Sequence, residues 1–215
     1  MHYLRCSQNP VDFQGGALRL LFVCTGNICR SPTAERLAEA YGKRYHVNDW
    51  TAESAGTHAV ISHPIHANAA LVLEQLGGST ANFAARQLTT RIASAADLIL
   101  TMTRAHRDAV LELAPGKFSR TFTLAEAAHL ATNCGPVTLA DFSSLRASAA
   151  VLGDELDIPD PIRGGSELFA AVGAQIADLL PSVLDTCMRS TDQDSANQDG
   201  GVLGRHHLPN APESY

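Results

Sequence analysis

Long apolar runs are missing from this chain: none approaches the roughly 20 residues that a helix needs to cross a bilayer. Basic clusters are missing too. With 16 Lys and Arg against 22 Asp and Glu, the formal charge is -6 and the pI is about 5.8. Nucleic acid and anionic membrane surfaces are therefore not expected partners, because counterion release needs clustered cations. The opening MHYLRCSQNP is too polar for a secretory hydrophobic region, so a cytoplasmic location is expected. A disulfide framework is lacking as well: the five cysteines (Cys6, Cys24, Cys29, Cys134, Cys187) are odd in number and irregularly spaced, which suits a reducing compartment. No G-x-G-x-x-G and no Gly-Lys-Ser occurs, which disfavours dinucleotide and P-loop sites. His206 and His207 are adjacent, without a spaced Cys pair, so no metal is expected. There is no internal repeat.

What is present is a chain of 215 residues, 45% hydrophobic and 18% charged, enough to bury one good core. Residues 1–17, with no periodicity, are expected to be a flexible leader, and 190–215, rich in Asp, Gln, Asn and Gly, a mobile tail. Residues 18–189 form the expected domain. Within it strands and helices alternate: strands at Leu20 to Val23, Thr51 to Ala55, Asp97 to Met102 and Arg120 to Leu124. Helices follow from apolar spacing at Ala34, Leu37, Ala38 and Tyr41, at Ala69, Val72, Leu73 and Leu76 up to Gly77-Gly78, and over 103–114. Residues 125–156 read as helical with a break at 133–136, and a last helix runs through Phe169, Val172, Ile176, Leu179, Leu180 and Val183, with a kink expected at Pro181. The expected fold is a three-layer α/β domain with a mostly parallel four-stranded sheet and helices on both faces.

One short string carries the chemistry. LLFVCTGNICRSP, residues 20–32, is a buried strand ending at Cys24, a loop, and a helix start in which Ser31 is the expected N-cap and Pro32 the first helical residue. Cys24 and Arg30, five residues apart, suit a cup with sulfur at its base and a guanidinium on its rim. An ordinary thiol, with a pKa of about 8.5, is only slightly ionised at neutral pH, and the thiolate is the nucleophile. Inward N–H groups of Thr25, Gly26, Asn27, Ile28, Cys29 and Arg30, the helix N-terminus and the guanidinium all favour an anion there. Gly26 permits close backbone approach, Asn27 tolerates a left-handed conformation, and Ser31 can donate to the sulfur. Arg30 matches two phosphate oxygens as a fork. A leaving oxygen needs a proton from elsewhere, and DIPDPIRGG offers Asp160, with Asp157 as its rival. Glu35 and Arg36 are expected on the exposed side of the first helix. Trp50, His63, His66 and His106 are expected in packing or surface roles.

VCTGNICRSPTAE resembles the active-site signature of the low-molecular-weight protein tyrosine phosphatases, and Asp160-Pro161 resembles their general-acid loop. SAGT at 54–57, ARQLT at 85–89 and ADLILTM at 96–102 are similar as well. The resemblance covers about residues 18–185. It implies that Cys24 is the nucleophile, Arg30 the phosphate clamp, and Asp160 the acid and later the base. It implies that Asn27, Ser31 and Ser54 shape the loop, that a phosphorylated protein is the substrate, and that phosphate-like oxyanions inhibit. No cofactor is implied. For Cys29 two readings stand, a buried small hydrophobe or a redox-sensitive partner that forms a disulfide with Cys24.

Three positions depart from the pattern: Phe83 stands where relatives place a supporting histidine, Val60 replaces an aromatic wall, and Ile162 and Arg163 follow Asp160-Pro161 in place of tyrosines. Asp-Pro followed by GGS, and TMTRAHR at 101–107, are also similar to bacterial protein arginine phosphatases. In those enzymes a threonine occupies the position of Ile28, and isoleucine suits a flat aryl ring, so phosphotyrosine is the expected substrate. Arsenate reductases share the first cysteine but relay through two further cysteines close together, unlike Cys134 and Cys187. A phosphoprotein-binding pseudo-phosphatase, with the cup kept and the acid loop unable to close, is the non-enzymatic alternative.

Overall fold

The structure, a computed structural model, describes residues 17–47, 50–134, 137–149 and 156–199, the backbone alone for 148–149 and 191–199. The leader up to residue 16 and the tail from residue 200 lie outside the described residues.

The strands β1 (Leu18–Cys24), β2 (Trp50–Gly56), β3 (Leu98–Thr101) and β4 (Thr121–Thr123) form one sheet in the order β2-β1-β3-β4. Every neighbouring pair is parallel. Helices α1 (Arg30–Tyr45), α2 (Ala67–Gln75), α3 (Thr90–Ala95), α4 (Arg104–Leu113), α5 (Leu124–Asn133), α6 (Phe142–Ala149) and α7 (Ser166–Asp199) supply the outer layers. Parallel strands covered on both faces need apolar residues of both parities, and β1 has them. Leu18, Leu20, Phe22 and Cys24 enter one core with residues of α1, α2, α5 and α7, while Leu21 and Val23 enter a second with Ile99, Ala93, Val110 and Ala114. Each leucine, isoleucine, valine or phenylalanine among these, fully buried, contributes about 1.5–3 kcal/mol.

The chain leaves β1 toward β2 and returns on the other side as β3, so the strand order reverses between β1 and β3. A crevice at the carboxyl ends of the strands is expected at such a reversal. Cys24 ends β1 there and Thr101 ends β3. Gly56, at the end of β2, lets the chain pass close: a Cβ on it would sit 2.4 Å from the Thr25 carbonyl oxygen.

Three expectations are corrected and one element is added. The N-cap of α1 is Cys29, without a side-chain cap bond, and Ser31 lies inside the first turn because its hydroxyl is engaged by Cys24 and Asn27. Residues 90–95 form a short helix, α3, capped by Thr89, too brief to show a periodic stripe. Ser166–Ser190 does reach the length and mean hydropathy of a membrane span. It is a core helix all the same, since Phe169, Val172, Ile176, Leu180, Val183, Leu184 and Cys187 are buried in the main core. Finally, α7 runs through Pro181 to Asp199, past the boundary expected at residue 189.

Candidate active site

The loop between Cys24 and Arg30 is shaped by what holds its carbonyls. Those of Cys24, Thr25, Gly26 and Ile28 accept from the backbone N–H groups of Thr57, His58, Val60 and His66, at 2.8–3.0 Å. In a trans peptide the following N–H points opposite to the carbonyl. The N–H groups of Thr25, Gly26, Asn27 and Cys29 therefore turn away from the 57–66 segment, and among the described residues they meet no acceptor. That leaves a ring of unengaged donors at the mouth of α1, the arrangement that an anion there would need.

Asn27 has φ of 54° and is buried, the left-handed position anticipated for it. Its Nδ2 donates to Ser31 Oγ at 2.9 Å and to Ser54 Oγ at 2.8 Å, and its Oδ1 accepts from the Arg86 N–H at 2.9 Å. Ser31 Oγ lies 3.0 Å from Cys24 Sγ. Ser54 in turn donates to Glu35. Glu35 is thus buried at the end of this chain, not exposed as expected. The reason is helical spacing: Glu35 is four residues after Ser31, and i and i+4 share a face. Burial raises its carboxyl pKa, against the Ser54 hydrogen bond and Arg36. Phe83 packs against the core with the Arg36 guanidinium 5.5 Å from its ring centre, and the donor to Asn27 Oδ1 is a backbone N–H, that of Arg86.

Arg30 is buried and connects distant segments. Nη1 donates to the Ile158 carbonyl at 3.0 Å and Nη2 to Asp160 Oδ2 at 2.6 Å. Its Nε is buried with no partner among the described residues, a donor suited to an oxyanion. Asp160 is the half-exposed member, with 45% of its side chain accessible against 4% for Arg30, and it caps the 3-10 turn Pro161–Arg163 by accepting from Ile162 N–H. Asp157 is bound instead by Arg104, through backbone N–H at 2.7 Å and guanidinium at 3.1 Å. Burial opposes its ionisation, but these bonds outweigh it and hold the carboxyl below its ordinary range. Asp157 is an anchor, and Asp160 faces the loop.

Cys29 is a buried thiol, pushed up to about 12 by burial and then by the Cys24 and Asp160 charges, with Arg30 acting against them. Ile28 is half-buried, and both it and Val60 lie within 3.6 Å of where a Gly26 Cβ would stand. Val60, Ile61 and Ile162 are exposed.

His106, expected only in a packing or surface role, is buried with Nε2 2.8 Å from Thr25 Oγ1 and Nδ1 2.8 Å from Thr103 Oγ1, so it also touches the loop after Cys24. Burial, then the Arg30 charge, lowers its pKa to about 4. A signal existed: it stands three residues past an N-cap threonine at the carboxyl end of a strand next to β1. His66 also has a local role, capping α2 and stacking on Phe169 with ring centres 4.9 Å apart. Trp50 packs as expected.

A doubly covered parallel sheet with a cysteine and an arginine around an amide-lined loop is an α/β arrangement suited to a phosphate-like anion. Known proteins narrow it. The sequence model for "Low molecular weight phosphotyrosine protein phosphatase" matches residues 19–134. The chain is 34% identical over 156 residues to "Low molecular weight protein-tyrosine-phosphatase Wzb" of Escherichia coli K12, covering 71% of this chain and 84% of that protein. Among solved structures, Vibrio vulnificus Wzb in complex with benzylphosphonate is similar at 28% identity and a TM-score of 0.59, over 81% of this chain and 99% of that one. The YwlE arginine phosphatase from Geobacillus stearothermophilus is similar at 26% identity and a TM-score of 0.58, over 89% and 99%. This chain belongs to the low molecular weight phosphotyrosine protein phosphatase family, and it is a phosphatase.

Proposed function

We propose that the protein hydrolyses phosphotyrosine in proteins by double displacement through Cys24. The Cys24 thiolate attacks phosphorus, the ester P–O bond breaks, and the departing phenolate takes a proton from Asp160. In the second half Asp160, now a carboxylate, accepts a proton from water, whose oxygen attacks the cysteinyl phosphate. Inorganic phosphate leaves and the thiolate is restored. Arg30 and the amide ring follow the charge on the equatorial oxygens, where Arg30 Nε supplies a donor not engaged by protein. Thr25, Gly26, Asn27, Ile28, Cys29 and Ser31 form the cradle. The observation that carries the reading is the 2.6 Å contact of Arg30 with Asp160: it brings a carboxylate to the rim of the loop that Cys24 begins.

Ile28 and Val60 beside Gly26, with the exposed Ile61 and Ile162 on the segments that follow Val60 and Pro161, favour an aryl ring, in line with the benzylphosphonate that Vibrio vulnificus Wzb holds. Likeness to an arginine phosphatase supports phosphoarginine as the second reading. In the same proposal a peroxide oxidises Cys24 to its sulfenic acid, and the thiol of Cys29, close in sequence and buried, condenses with it to form a disulfide and release water, which would shield the nucleophile from irreversible oxidation. The test is turnover of phosphotyrosine and phosphoarginine peptides side by side. Cys24→Ser is expected to abolish both, Asp160→Ala to slow turnover about 10²-fold or more with phosphate inhibition retained, and Ile28→Thr to move preference toward phosphoarginine. Undiminished turnover in Cys24→Ser refutes the mechanism, and faster phosphoarginine hydrolysis by the unmodified protein refutes the substrate.

A further inference from the structure

The first turn of α4 touches both loops of the site. Thr103 caps the helix by accepting from His106 N–H at 3.2 Å, and the His106 ring spans from Thr103 Oγ1 to Thr25 Oγ1, the residue directly after Cys24. Arg104, between them, grips Asp157 at three points, its backbone N–H at 2.7 Å and Nε and Nη2 at 3.3 and 3.1 Å. The next residue, Ile158, donates its N–H to the Met102 carbonyl at 2.8 Å and receives Arg30 on its own carbonyl. Asp160 follows two positions later, with Pro159 before it and Pro161 after it. Two residues reach about 7 Å at most, and prolines fix φ. A tether at 157–158 is therefore transmitted to the Asp160 carboxylate.

We propose that Arg104 and His106 are positioning residues, and that the first turn of α4 is a brace setting the acid loop over the nucleophile loop. Arg104 acts through Asp157 and His106 through Thr25. The inference rests on Asp160 being the general acid. Proton transfer needs the carboxyl within hydrogen-bond reach of the leaving oxygen, and a misplacement of about 1 Å is enough to cost on the order of 10²-fold. Charge states agree with this role. Asp157 stays a carboxylate, held by Arg104 against its burial. His106, near the charges of Arg30, Asp157 and Asp160, is kept neutral by burial and then by Arg30, so one ring nitrogen donates and the other accepts, and either threonine hydroxyl can serve either nitrogen.

An aryl phosphate series separates positioning from general structural support. A p-nitrophenolate departs with little help, whereas phenolate needs the proton. Arg104→Ala and Asp157→Asn are expected to lose only a few-fold on p-nitrophenyl phosphate but about 10- to 100-fold on phenyl phosphate. Inhibition by inorganic phosphate should stay within about two-fold, and combining the two changes should cost no more than either alone. Asp160→Ala in the same series must show the same leaving-group bias. A uniform loss across the series in Arg104→Ala and Asp157→Asn, or none, overturns the brace while the acid assignment stands. An Asp160→Ala variant without the bias overturns the assignment and the brace with it. For the other arm, His106→Phe keeps a ring but loses both bonds, and is expected to weaken phosphate inhibition about five-fold; unchanged inhibition overturns the part given to His106.

Discussion

Asn27→Ala removes the hub of the loop network, and its cost can be built from parts. Three hydrogen bonds of 2.8–2.9 Å disappear. The two hydroxyls keep other partners, Cys24 for Ser31 and Glu35 for Ser54, so each of these bonds is worth about 1 kcal/mol, whereas the Arg86 N–H loses its acceptor and costs somewhat more. Alanine must also hold φ of 54°, a conformation about 1 kcal/mol harder for it than for asparagine or glycine. The sum is about 4 kcal/mol. Urea denaturation should show this as a lower midpoint with little change in slope, and Asn27→Gly should recover about 1 kcal/mol of it. Turnover should fall in both variants, because glycine restores the backbone and not the bonds to Ser31 and Ser54. A loss under about 1 kcal/mol in Asn27→Ala, or a glycine variant less stable than the alanine one, would refute the accounting.

Two further outcomes follow from packing and charge. An unfolded histidine takes up its proton near pH 6.5, whereas His106 in the fold does so near 4. The unfolded chain therefore binds more protons between these values, and stability falls as pH drops through that window, by up to about 3 kcal/mol. Urea midpoints across the window should fall less steeply in His106→Asn, and equal slopes would count against a buried neutral imidazole. Gly56→Ala forces a Cβ to within 2.4 Å of the Thr25 carbonyl and should cost about 3 kcal/mol or more. Gly116→Ala, in open space, serves as the near-neutral comparison, and a thermal melt that ranks the two alike would show that the loop relaxes easily.

The strands were legible because parallel, doubly covered segments are short continuous apolar runs, and β1, β3 and β4 each fall within a residue or two of the expected place. The loop was legible because Cys24, Asn27, Arg30 and Ser31 lie within one local turn of chain. Glu35 was misplaced because composition alone made it look like a surface charge, although its spacing from Ser31 already put both on one face. Capping by Ser31 failed for a competing reason: a hydroxyl within reach of a sulfur and an amide is drawn to them in preference to the helix end.

By itself, the sequence determined the layered α/β architecture and singled out the loop from Cys24 to Arg30, because both rest on neighbours in the chain, on alternating apolar runs and on a cysteine and arginine at fixed spacing. Tertiary structure decided which distant groups meet that loop. Asp160 reaches Arg30 across 130 positions and His106 reaches Thr25 across 81, because the β2-β1-β3-β4 order sets the carboxyl ends of β1 and β3 side by side. The same packing separates two carboxylates three residues apart, since Arg104 takes Asp157 as an anchor and leaves Asp160 free to face the loop.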